Sequence, residues 1–220
     1  MAEGVEIQDA LRHHVTRLVQ HGDAASGPAL EGLLRQTKST AALLAIIKGV
    51  AETIGEAPTA PPELLLCCQL LQKTLRRAPA AEIEGSAAVL LPLLRMSASL
   101  GCGWSLVLTQ LSLAFAVLLI RTEAWDVAQL LPSLATELGG TGADGAMLAV
   151  LTVLAEEIHA PAAKISVAPA RTAAVRQALR REAGAVLTAV GSFCEQQQVA
   201  ASAMRCGRAW CSAGLFRIAS

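Results

Sequence analysis

The chain has 220 residues, 53% of them hydrophobic and only 16% charged, enough apolar material for a sizeable core in one or two domains. Eighteen basic and eighteen acidic residues cancel, so no global field draws the chain to nucleic acid or to an anionic membrane. Ala and Leu dominate and Tyr is absent; strands favour aromatic and β-branched residues, so the composition predicts an all-α fold.

In chain order, apolar periodicity predicts helices over 5–21, 28–38, 40–54, 62–77, 84–99, 104–120, 124–138, 143–158, 171–197 and 199–214. The breaks are "GDAASG", "GEAPTAPP", "RRAPAAE", "LGCG", "ELGGTGADG" and "HAPAAKISVAPA", all rich in Gly, Pro or Ala. The opening "MAEGVEIQDALRHH" has no basic-then-apolar leader, which argues against secretion. His13, His14 and His21 follow on or after the first helix. No carboxylate or Cys completes a metal set with them, so they read as surface histidines. Glu31, Arg35 and Lys38 share one face of the 28–38 helix.

Cys67, Cys68, Cys102, Cys194, Cys206 and Cys211 show no metal spacing and read as buried free thiols in a reducing compartment. From Met96 to Ile120 there is no charge, which raises the possibility of a membrane span. Gly101 and Gly103 interrupt that stretch, and Ser105, Thr109, Gln110 and Ser112 are polar, so a helix buried within the protein fits better, with Leu111, Phe115 and Leu118 inward. Asp126, Gln129 and Ser133 share one face of the 124–138 helix.

"LTVLAEEIHAP" places Glu156, Glu157 and His159 together, but no Ser, Lys or ligand set stands at catalytic spacing. The two acids are expected in solvent and His159 in a loop. "RQALRRE" reads as a solvated face with local ion pairs, and Trp104, Trp125 and Trp210 as packing residues. No phosphate-binding, serine-hydrolase or zinc-protease motif is present. The sequence supports no enzyme activity, no cofactor and no metal.

Two elements recur. "QLLQKTL" begins at Gln69 and "QLSLAFA" at Gln110; Leu-Leu-Pro cores stand at 90–92 and 130–132. A third helix of the Gln-Leu type follows as "MLAVLTVLAEEI". A period of about 40 residues with two helices per unit is the range of HEAT and armadillo arrays, whose helix pairs stack to share one core. The fold expected is a HEAT-repeat-like α-solenoid of about five repeats. Pro92 and Pro132, at one repeat position, suggest a bend or an early turn that the architecture tolerates.

Three stretches carry a resemblance. "VLTQLSLAFAVLLIRTEAWDVAQLLPSL" resembles the third helical repeat of the transportin-SR and importin-thirteen branch of the importin-β superfamily, through Gln110-Leu111 and Trp125. "LTVLAEEIH" resembles the family's next helix of that type, with Ala155 where the family has Pro. "MRCGRAWCSAGLF" resembles a later one at Arg205, Cys206, Trp210 and Gly214, and departs from it at Gly207-Arg208. "EGLLRQTKSTAALLAIIKGV" and "CCQLLQKTL" fit the preceding repeats more loosely.

The resemblance implies a nucleocytoplasmic transport receptor, with residues 1–220 as one N-terminal arch of a much longer chain. It implies that this arch binds Ran GTPase in its GTP form, that protein cargo and nucleoporins bind the full-length receptor, and that the receptor shuttles between cytoplasm and nucleus. It also implies that the second helix of each pair lines the concave side. On the reading in which the Leu-Leu-Pro helices are those second members, Glu31, Arg35, Lys38, Asp126, Gln129 and Ser133 become partner contacts. Two alternatives stay open: an unrelated helical-repeat adaptor that takes a peptide or helix in its concave groove, and a membrane protein built on the 104–120 segment.

Overall fold

A computed structural model describes residues 39–54, 57–123, 126, 129–138, 144–159, 167 and 169–216, with isolated positions 10, 13, 14, 17, 28, 29 and 32. Among the described residues the chain is all-α, with nine α-helices and no strand. They are α1 (Thr40–Ile54), α2 (Pro62–Leu75), the short α3 (Ala80–Ile83), α4 (Ala87–Ser99), α5 (Ser105–Arg121), α6 (Leu130–Leu138), α7 (Asp144–His159), α8 (Pro169–Cys194) and α9 (Ala200–Ser212). The predicted helices at 5–21 and 28–38 lie outside the described residues, apart from those isolated positions.

The helices form two layers. α2, α5, α7 and α9 stack side by side in one; α1, α4, α6 and α8 form the other. This is a helical-repeat solenoid, and it corrects the phase of the repeat. The tightly packed sequential pairs are α1 with α2, α4 with α5, α6 with α7, and α8 with α9. The Leu-Leu-Pro helix therefore opens each hairpin and the Gln-Leu helix closes it. A 40-residue period fixes the spacing of like helices but carries no phase, so either order satisfies it.

The prolines act at the places where helices tolerate them. Pro62 stands in the first turn of α2, where the missing N–H has no intrahelical role. Pro132 falls in the first turn of α6. Pro92 lies inside α4, but on its exposed face, so the Ala88 carbonyl it deprives of an N–H stays in reach of water.

One continuous apolar core runs from α1 to Leu215. Its centre is α5, where Leu111, Phe115 and Leu118 point inward as expected and residues 114–120 are buried all round. The segment Cys102–Arg121 is long and apolar enough to cross a membrane by length and composition alone. Here it packs against α2, α4 and α7, which accounts for its apolar character without lipid. Trp104 and Trp210 are fully buried, in keeping with packing roles; Trp125 lies outside the described residues.

The loop before α2 is pinned to the start of α5. Trp104 Nε1 donates to the Ala57 carbonyl at 2.8 Å, and the Ala60 N–H donates to the Gly103 carbonyl at 3.2 Å. A Cβ on Gly103 would stand 2.0 Å from the Pro58 carbonyl oxygen, so only glycine admits this approach. Gly101 beside it has φ of +82°, the left-handed region that glycine enters freely.

Candidate functional site

The residues singled out from sequence do not assemble into one site. Glu31, Arg35 and Lys38 lie outside the described residues. Asp126 and Gln129 are exposed but precede α6, and Ser133 is half-buried within it. Helix α6 spans Leu130–Leu138, and positions 124, 125, 127 and 128 of the predicted 124–138 helix lie outside the described residues. The Gln129 N–H donates to the Asp126 carbonyl at 3.0 Å just ahead of the helix start.

Their layer also matters. α2 packs closely along α5, whereas α1 and α4, the corresponding pair in the other layer, meet less extensively. The space between them is a cleft of about 330 Å³, floored by Ala51, Val89, Leu93 and Met96 and edged by Lys48 and Glu52. Lys48 and Glu52 form an exposed pair at 3.8 Å. The cleft lies in the Leu-Leu-Pro layer, to which Ser133 also belongs.

Glu156 is exposed and His159 is the exposed last residue of α7 rather than a loop residue. Glu157 departs further from expectation. It is nearly buried, and its Oε1 accepts from Arg76 Nη2 at 2.7 Å. With its amide oxygen turned toward Arg76, Gln72 accepts from Nη2 and Nε at 2.8 and 2.9 Å. This pair is no catalytic dyad: it joins the C-terminal ends of α2 and α7.

Other arginines serve the same edge. Arg121 donates to the Leu75 carbonyl at the end of α2, and burial pulls its pKa below the usual arginine value. Arg171 donates to the Leu119, Ile120 and Thr122 carbonyls at the end of α5. Arg176 donates to the Ile158 carbonyl at 2.8 Å at the end of α7, so "RQALRRE" is not wholly a solvated face. Each guanidinium meets carbonyls that lack an intrahelical partner, at the negative end of the helix dipole. The readable signal is a single Arg flanking an apolar helix end; which end it reaches, 46 to 52 residues away for Arg121 and Arg171, spacing does not say.

The cysteines divide. Cys67, Cys68 and Cys206 are buried; Cys102, Cys194 and Cys211 are exposed, against the expectation of burial, and none of the six forms a disulfide. Burial, with Cys67 alongside, pushes the Cys68 thiol well up; burial pushes Cys206 up to about 11, partly opposed by the Thr152 side chain. Neither is a poised nucleophile. Among the described residues no group of three His, Cys, Asp or Glu could hold a metal ion.

Compared with known families, residues 105–216, just over half of the chain and running from α5 past the end of α9, match the exportin 1-like protein family. No curated protein and no solved structure gives a match. With the paired helices on the page and that match across them, the chain belongs to the exportin 1-like family, within the importin-β and exportin superfamily of transport receptors.

Proposed function

We propose that this chain is the N-terminal, RanGTP-binding region of a nucleocytoplasmic receptor similar to the transportin-SR and importin-thirteen branch. It acts as a protein-binding scaffold rather than an enzyme. The observation that carries the reading is the family match over residues 105–216, laid on a two-layer stack of helix hairpins. The binding chemistry is that of a large, mixed-charge surface presented by rigid helices. Residues 1–220 would form one arch of a longer receptor that shuttles between cytoplasm and nucleus and meets cargo and nucleoporins through further repeats. Asp126, Gln129 and Ser133, with Glu31, Arg35 and Lys38, stay proposed partner contacts.

A pull-down of Ran loaded with a non-hydrolysable GTP analogue, against Ran loaded with GDP, tests the reading. Selective retention of the GTP form, weakened by Asp126→Lys with Glu31→Lys, supports it. Selective retention unaffected by the double reversal keeps the receptor reading and moves the contact elsewhere. Equal retention of both forms leaves the adaptor reading in its place.

A further inference from the structure

In a solenoid each unit ordinarily contacts only its neighbours. Arg76 and Glu157 reach further. Arg76 follows α2, Glu157 lies in the last turn of α7, and α5 packs against both of these helices. The two side chains nevertheless meet at 2.7 Å, 81 residues apart, with only 15% and 12% of their surfaces exposed. Such burial shields the pair from salt. At the same edge Arg121, from the end of α5, holds the Leu75 carbonyl of α2. Three successive helix ends are thereby tied together. Glu157 is held through one oxygen alone: its Oε2 is buried and makes no hydrogen bond.

The other layer is less closely packed. There α1 and α4 flank the cleft at Ala51, Val89 and Met96. Drawing the C-terminal ends of α2, α5 and α7 together on one side opens the spacing on the other, because the helices between are rigid rods joined by a packed core. We propose that the Arg76–Glu157 pair is a lock on the curvature of the stack. Closed, it fixes the turn between the α1–α2 hairpin and α7 and holds the α1/α4 cleft open. Released, it lets the α1–α2 hairpin swing about α5, lengthening the stack and narrowing the cleft.

The experiment uses the full chain and three variants: Glu157→Gln, the milder Arg76→Lys, and the reversal Arg76→Glu with Glu157→Arg. Amide hydrogen exchange reports local opening and small-angle scattering reports length. The expected result is faster exchange over residues 72–78 and 118–122 in Glu157→Gln, by about tenfold, with the α8–α9 hairpin unchanged. The radius of gyration rises in the same variant, and the reversal moves both readouts back toward wild type. Should Glu157→Gln fail to fold, Arg76→Lys carries the same two readouts, because it keeps the charge and loses the fork geometry. A rise in exchange spread evenly over all the helices would show a pair that only adds global stability. That outcome, or unchanged scattering in every folded variant, would overturn the lock.

Discussion

Trp210 donates its indole N–H to the Leu151 carbonyl at 3.0 Å, and both residues are fully buried. The bond ties α9 to the middle of α7, and Phe216 stacks on the indole with ring centroids 5.6 Å apart. The sequence "MRCGRAWCSAGLF" thus folds back on the stack through one aromatic anchor, with the Leu215 N–H donating to the Trp210 carbonyl at 3.1 Å behind it.

Trp210→Ala is expected to cost about 3–5 kcal/mol, the usual range for emptying a large aromatic site. Trp210→Phe keeps most of the apolar volume and loses the hydrogen bond, so about 1–2 kcal/mol is expected. Urea unfolding of the two variants checks the order. Equal losses would mean that the hydrogen bond, not the packing, dominates.

Gly103→Ala drives a methyl group into the Pro58 backbone, which cannot rotate away as a side chain could. The loop must move, taking with it the Trp104–Ala57 and Ala60–Gly103 hydrogen bonds. A loss of about 2–3 kcal/mol is expected, the range for overpacking plus broken polar contacts. Trp104 fluorescence should redden in the folded variant as the indole gains access to water. An unshifted spectrum with unchanged stability would contradict the close approach.

The thiols are expected to react with a bulky disulfide reagent in two classes, with Cys102, Cys194 and Cys211 fast and Cys67, Cys68 and Cys206 slow. The pH dependence follows from the raised Cys206. Its folded pKa of about 11 exceeds the ordinary 9.0, so the folded state binds the proton more tightly than the unfolded chain does. The associated stability is complete below pH 9 and declines between pH 9 and pH 11, by on the order of 2–3 kcal/mol. Cys68 shifts in the same direction. Urea midpoints for Cys206→Ala should fall less steeply over that window than for wild type; parallel curves would remove Cys206 as a source.

The helices were legible because apolar residues recur at helical spacing and Gly and Pro mark the gaps. The 40–54 helix agrees residue for residue with α1, and 143–158 differs from α7 by one residue at each end. The 84–99 helix is broken by a 3-10 turn at Glu84–Ser86, where Gly85 offers no helix-stabilising side chain. What resisted reading was long-range. Glu157 looks solvated from its neighbours in sequence, and its burial comes from Arg76 arriving from another hairpin. The hairpin order resisted for the same reason: which of two like-spaced helices packs on which is decided by contacts, not by spacing. The exposed Asp126 and Gln129 carry no signal of partnership beyond polarity, which any surface shares.

The proposed function makes this stack of hairpins the Ran-responsive part of a transport receptor. The measurement that bears on it most directly is a titration of the 220-residue chain with Ran in its GTP-bound and GDP-bound forms at physiological salt. Saturable binding of the GTP form is expected, with a dissociation constant for the GDP form at least about tenfold higher, a difference of about 1.4 kcal/mol. Equal affinities for the two forms, or no binding of either at high micromolar concentration, would contradict it.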